Sequence, residues 1–389
     1  MSAREYDIVV YGSTGYTGRL VCEYLNNQYG VNGDVRWAMA GRSIEKLQSV
    51  RDEIGVDSSV PLVVADSDSQ QSIGDMVQST KVLLTTVGPY QLYGSDVVKA
   101  CVENGTDYVD LCGEPAWMHE MIGEYQEAAR QSGARIVFST GFDSIPFDCG
   151  VYFLQQAAKE KFGAAVPRVR GRVRAMKGTF SGGTMASFKA TMAAAGQNPD
   201  LIQVLMNPFS LSAGFSGPEQ PPGNKPIFEE DLGSWAAPFV MATINTKNIH
   251  RSNFLLGHQY GEDFVYDEMM FTGPGEEGEK IANFVAKDDS MAKSTLKPGE
   301  GPSKEERESG MYDVLFIGSN DKGDLIKVGV TGDRDPGYGS TSKMIAESAV
   351  CLLKNPELAG GGVWTPAAAM GAEIIDRLQQ NAGLTFKVE

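Results

Sequence analysis

In the first 150 residues, six short apolar runs alternate with helical stretches, and this alternation restricts the fold more than any other feature of the chain. The runs are Ile8–Tyr11, Trp37–Ala40, Leu62–Ala65, Val82–Val87, Tyr108–Leu111 and Ile136–Phe138. Between them lie segments such as SIEKLQSVRDEIG and WMHEMIGEYQEAARQSG. Short strands separated by helices build an α/β fold with a parallel, doubly wound sheet of the Rossmann type. A chain of 389 residues exceeds one ordinary core, so a second domain is expected.

The pattern changes after GFDSIPFDCGVYFLQQAAKEKFG. RVRGRVRAMKGTF alternates residue types with period two, which suits a strand with one exposed face. That spacing sets Arg168, Arg170, Arg172 and Arg174 on one side. Three readings of this stripe are open: a solvated face paired with carboxylates elsewhere, a docking face for an acidic carrier domain, and a clamp for substrate carboxylates. Residues Met206–Asp231 are rich in Pro, Gly and Ser and read as a long loop or a lid. FVYDEMMF, MYDVLFIGS and LIKVGVTG are further strands, with DKG turning between the last two. KPGEGPSKEERESG reads as an exposed loop, and STSKMIAESAVCLL and PAAAMGAEIIDRLQQ as closing helices.

The first apolar run leads into GSTGYTGR, with glycines at 12, 15 and 18. A strand, a glycine turn and a helix start together make an anion site: the glycines allow close approach, and the helix end offers free N–H groups and partial positive charge. In the first strand–helix turn of such a sheet, the expected anion is a dinucleotide pyrophosphate. Gly12, Gly15 and Gly18 are therefore assigned to cofactor binding, with Ser13, Thr14, Tyr16 and Thr17 adding side-chain contacts. At the end of the second strand, a site for NAD usually has a carboxylate for the ribose hydroxyls. Here the chain reads AGRSIEKL, placing Arg42 and Ser43 where a 2′-phosphate would lie. NADP is expected in preference to NAD. Asp66, after the third strand, borders the adenine; Val87, Gly88 and Pro89, after the fourth, run toward the nicotinamide.

Charge and composition exclude several classes. A net charge of −16 disfavours nucleic acid and anionic membranes. The five cysteines contain no CxxC pair and the three histidines no HExxH set, so neither a disulfide framework nor a metal site is indicated. No apolar run approaches the ~18 residues of a transmembrane helix, and MSAREYDIVV reads as the start of a strand, not a signal peptide. A reducing cytoplasm is the expected location.

GSTGYTGR, AGRSIEKL, VGPYQLYG, YVDLCGE, GFDSIPFD, HRSNFLLGHQYGEDFVYDE, DPGYGSTSKMIAESAVCLL and GGVWTPAAAMG span nearly the whole chain. With these motifs the sequence resembles the saccharopine dehydrogenase-like oxidoreductases, and within them the trans-acting enoyl reductases. The resemblance implies a Rossmann domain over residues 1–149, completed by C-terminal helices in 340–389, and a second, mixed-sheet α/β domain over 150–339. It implies hydride transfer from NAD(P)H to a C=C bond of an acyl substrate, small or carrier-bound. The alternatives are a saccharopine-type imine or amino-acid dehydrogenase and a non-catalytic dinucleotide-binding protein. Second domains of this kind often pair through exposed strands, so a homodimer is an expectation.

Hydride transfer to a C=C bond usually needs a proton donor. Tyr90 is the first candidate: it follows the Gly-Pro step beside the nicotinamide, and a phenol can protonate an enolate. A tyrosine that only packs on the cofactor, or water as donor, are the other readings. Asp143 is the second candidate, in GFDSIPFD, whose Asp148 reads as the cap of the helix that follows. None of the fourteen tyrosines has lysine four residues later, which argues against short-chain dehydrogenase chemistry.

Overall fold

The structure is a computed structural model and describes residues 4–389 apart from 32, 180, 181, 294 and 298. Its strands are β1 (Tyr6–Tyr11), β2 (Trp37–Gly41), β3 (Leu62–Val64), β4 (Thr80–Thr85), β5 (Asp107–Val109), β6 (Arg135–Val137), β7 (Arg168–Lys177), β8 (Ile227–Glu229), β9 (Ser234–Pro238), β10 (Val265–Gly273), β11 (Met311–Ser319), β12 (Leu325–Gly332), β13 (Gly362–Trp364) and β14 (Leu384–Val388).

The six apolar runs become β1 to β6 of one parallel sheet, in the order β13-β6-β5-β4-β1-β2-β3. β1 lies between β2 and β4, with Ile8 beside both Trp37 and Val82. The strand order reverses between β1 and β4, and ligands of doubly wound sheets bind outside the carboxyl ends at that point. The interior positions of β1 and β2 are buried on both faces, as a helix-covered parallel strand requires.

The second sheet is mixed, in the order β14-β12-β11-β7-β10-β9-β8. β7 is central, parallel to β10 and antiparallel to β11. Val169 and Val173 on one face join Phe147, Val151 and Leu154 of helix Ile145–Phe162 in a core that continues into the C-terminal helices.

Several segments depart from the sequence expectations. β7 is not a half-exposed strand: Arg172 is 1% exposed and bonds Glu229 at 2.7 and 2.8 Å and Asp267 at 2.7 Å. Arg168 pairs with Asp267, Arg170 with Glu229 and Asp231, and Arg174 with Asp313 and Glu389. The stripe is thus matched by carboxylates from this chain, which removes the docking and clamp readings. The C-terminal residues do not all return to the first sheet, because Leu384–Val388 forms β14 and pairs with β12. The stretch Met206–Asp231 is, as expected, a long loop, leading into β8; it is buried at Phe209, Ser210, Leu211 and Ser212 and exposed or half-buried over 213–228. KPGEGPSKEERESG contains a helical turn, Lys304–Glu308, closed by a capping box between Ser303 and Glu306.

Candidate functional site

The glycine turn has the shape a pyrophosphate needs. Gly12 has φ +93°, and a Cβ there would come within 2.8 Å of Thr86 and Val87. A Cβ on Gly18 would lie 2.1 Å from the Gly12 carbonyl oxygen. The first shows the turn pressed against the end of β4, the second the helix start pressed against the turn itself. Helix Tyr16–Tyr29 starts at Gly15 with no side-chain cap, so its first N–H groups point into the crevice mouth without a capping oxygen. Thr14 and Thr17 are half-buried at this turn.

Three of the side chains expected to contact the cofactor are engaged within the protein. The Ser13 hydroxyl donates to Val10 O at 2.6 Å and accepts the Ala40 N–H at 3.2 Å, so it ties β1 to β2. The Tyr16 hydroxyl donates to Pro302 O and accepts from Arg307 at 2.8 Å, and its ring meets Tyr338 edge-on at 5.1 Å. The loop expected to be exposed thus lies against the glycine turn. Ser43 caps helix Ile44–Glu53, accepting the Lys46 N–H at 3.2 Å, with its proton on Glu45 at 2.7 Å. A serine at a helix start answers the helix first. Arg42 is exposed, and among the described residues no hydrogen bond or ion pair holds its guanidinium. Asp66 is half-buried at the end of β3 and raises the pKa of the buried Tyr11 phenol, adding to the larger effect of burial.

Beyond β4, Val87 packs over Gly12, Gly88 is exposed, and Pro89 is buried. Tyr90 is 4% exposed. Its hydroxyl accepts the Leu111 N–H at 3.0 Å and donates to Thr85 O at 3.4 Å, and its ring tilts over Trp117 at 5.7 Å. Burial holds its pKa well above the ordinary tyrosine value. A phenol held in this way bridges β4 to the loop after β5, which argues against a role as proton donor. Glu114, 2% exposed, receives the Tyr90 and Gln91 N–H groups, each at 2.9 Å.

Asp143 is the carboxyl left open. It is half-buried, and no described residue hydrogen-bonds or pairs with it. Burial alone pushes its pKa up to about 7. Its Oδ2 would stand 3.2 Å from a Cβ on Gly113, so the loops after β5 and β6 meet here. Both neighbours are fixed: the Phe142 N–H donates to Thr341 Oγ1 at 2.9 Å, and Ser144 Oγ accepts from Asn248 Nδ2 at 2.8 Å. Deeper, Asp110 accepts from the Cys112 and Ser139 N–H groups and from Tyr108, at 2.9 to 3.0 Å. These bonds hold Ser139 at φ +60°. Asp148 does not cap its own helix; it accepts the Ala367 N–H at 2.8 Å and a proton from Ser252 at 2.5 Å, capping helix Pro366–Arg377.

Sequence reasoning missed Asn248 and Thr341 as groups that hold this site. The signal for Asn248 was available: NTKNIHRSN crowds polar residues into one helix, Ala242–Leu255, which buries Asn245, Asn248 and Asn253 with Lys247, His250 and Arg251, and buried polarity of this kind marks a network. The helices Gly182–Gln197 and Pro199–Met206 were also not anticipated. With helix Pro115–Ser132 they enclose a cavity of about 280 Å³ beside Gln91 and Glu114.

A doubly wound sheet with an uncapped phosphate turn, an unpaired arginine after β2 and an open carboxyl after β6 defines a dinucleotide-dependent oxidoreductase. Residues 8–137 match the family described as saccharopine dehydrogenase NADP binding domain. The chain is 37% identical to a Mycobacterium tuberculosis protein provisionally named a trans-acting enoyl reductase, covering 96% of each chain. It is 34% identical to the trans-acting enoyl reductase of Mycobacterium ulcerans, covering 97% of this chain and 96% of that one. Apo saccharopine dehydrogenase (L-Glu forming) from Saccharomyces cerevisiae shares the fold, with a TM-score of 0.56 over 99% of both chains at 11% identity. The chain belongs to the saccharopine dehydrogenase-like oxidoreductases, in the group of the trans-acting enoyl reductases. It carries an NADP-binding domain.

Proposed function

We propose that the protein reduces the C=C bond of an α,β-unsaturated acyl thioester, with Asp143 as proton donor. The observation that supports this most directly is the Asp143 carboxyl where the loops after β5 and β6 meet, unpartnered among the described residues and pushed up by burial to about 7. The named relatives, similar over the full chain, supply the acyl chemistry. An imine substrate with several carboxylates would need free cations, and the arginines of β7 are already paired.

The cradle fits the cofactor: side chains at Gly12 and Gly18 would strike Thr86, Val87 and the Gly12 carbonyl, so only glycine allows the tight turn that a pyrophosphate needs, and among the described residues nothing pairs with Arg42, which leaves it for a 2′-phosphate. In this reading Gly15, Thr14 and Thr17 complete the phosphate turn, Asp66 borders the adenine, and Val87, Gly88 and Pro89 line the nicotinamide half. NADPH, when bound, would supply the hydride for the β carbon of the acyl chain. The α carbon then needs a proton, and the Asp143 carboxyl holds one at neutral pH. Thr341 and Asn248 keep that carboxyl in place through its two neighbours, and Tyr90 and Glu114 brace the adjoining loops.

We assign residues 1–149, with the C-terminal helices and β13, to the cofactor domain, and 150–339 with β14 to the substrate domain. Delivery of the substrate on a carrier, homodimer formation and a cytoplasmic location belong to the same reading. The test is turnover. NADPH absorbance should fall with an enoyl thioester and not with its saturated counterpart. Oxidation of NADPH with an aldehyde acid and glutamate, but with no enoyl thioester, would sink the proposal.

A further inference from the structure

We propose that the cavity of about 280 Å³ walled by helices Pro115–Ser132, Gly182–Gln197 and Pro199–Met206 holds the part of the acyl chain beyond the reacting double bond. This rests on the acyl reading above and locates the chain within it.

One helix face connects the two places. Ser187 of helix Gly182–Gln197 lies beside Gly88: a Cβ on that glycine would stand 3.6 Å from Ser187 Oγ. One turn on, Thr191 accepts a 3.2 Å hydrogen bond from Gln91 and lines the cavity. Ala194, three residues further, lines it as well. At ~1.5 Å per residue, that face runs about 10 Å from the nicotinamide end into the cavity. A chain whose double bond is placed at Gly88 therefore has a continuous wall leading inward.

The lining suits a flexible chain. Ala116, Trp117, Ala194, Leu201 and Leu205 supply apolar surface. Two carboxylates also line it: Glu114, which accepts two N–H groups, and the exposed Glu120. The volume equals roughly nine waters at ~30 Å³ each, room for a medium-length chain. Met192, Ile202 and Met206 on the walling helices are exposed, as are Leu92 and Tyr93 on the short helix that carries Gln91. Apolar surface at a mouth is where a longer chain would emerge.

The test compares chain lengths in the Ala194→Trp variant, with Ala194→Leu as a milder filler should the larger ring disturb folding. The probes are saturated butyryl and dodecanoyl thioesters of N-acetylcysteamine, measured calorimetrically with NADP bound. Each variant must first show unchanged NADPH fluorescence. The wild type should bind dodecanoyl more tightly, and the filled variants should lose at least tenfold of that affinity while butyryl binding stays the same. Equal losses for both probes, or no loss for dodecanoyl, would overturn the assignment. Because the probes are unreactive, absence of turnover with enoyl thioesters would count against the proposed reaction, while a chain-length effect here would stand on its own.

Discussion

The N–H of Leu111 donates to the Tyr90 hydroxyl at 3.0 Å, joining the loop after β5 to the end of β4 inside the protein. This bond gives Tyr90 a structural task. Tyr90→Phe should leave the buried Leu111 N–H without its acceptor and lower stability by about 1–3 kcal/mol, measured by urea unfolding. The kcat of the folded variant should change less than tenfold. A loss of a hundredfold or more would return the proton-donor role to the phenol.

Asp143→Asn keeps the shape and removes the proton. We expect kcat to fall roughly 10²–10⁴-fold with NADPH affinity unchanged. The pH profile carries a sign. A carboxyl raised to about 7 is protonated below that pH and ionised above it, so an acid catalyst loses activity as pH rises through about 7. That descending limb should be present in the wild type and absent in the variant. Nearly full activity with the same limb would show that water delivers the proton.

Arg42→Ala should raise the KM for NADPH about tenfold, the equivalent of ~1.4 kcal/mol. The KM for NADH should barely move, because the guanidinium answers the 2′-phosphate alone. Equal changes for the two cofactors would place Arg42 outside the phosphate site.

The arginines of β7 should separate by burial. Arg172→Ala removes the buried cation shared by Glu229 and Asp267, leaving them Arg170 and Arg168 alone, and should cost ~3 kcal/mol in unfolding free energy. Arg170→Gln faces the half-exposed Asp231 and should cost about 1 kcal/mol or less. Turnover per folded molecule should be unchanged in Arg170→Gln; a raised KM for the acyl substrate would revive a docking role for this face.

The strands of the first sheet were readable in the chain because each is a short apolar run between turn residues, and doubly wound sheets follow from that local alternation. The phosphate turn was readable for the same reason: Gly12 and Gly18 exclude a side chain through contacts within one strand–helix unit and the adjoining strand. Side-chain roles were not readable. Ser13, Ser43, Tyr16 and Tyr90 all stand next to the crevice in sequence, yet their hydroxyls are bound to Val10, Glu45, Pro302 and Leu111.

The sequence by itself determined the alternating sheet, the glycine turn and the preference for a phosphorylated dinucleotide, since these depend on neighbours close along the chain. Only the tertiary structure decided which polar group stays open. Asp148 and Asp143 lie five residues apart in one motif. Asp148 is consumed by Ser252 and Ala367, more than a hundred positions away, while Asp143 meets no partner among the described residues. A side chain's hydrogen bonds depend on what the fold brings within about 3 Å of it, and that distance has no counterpart along the chain.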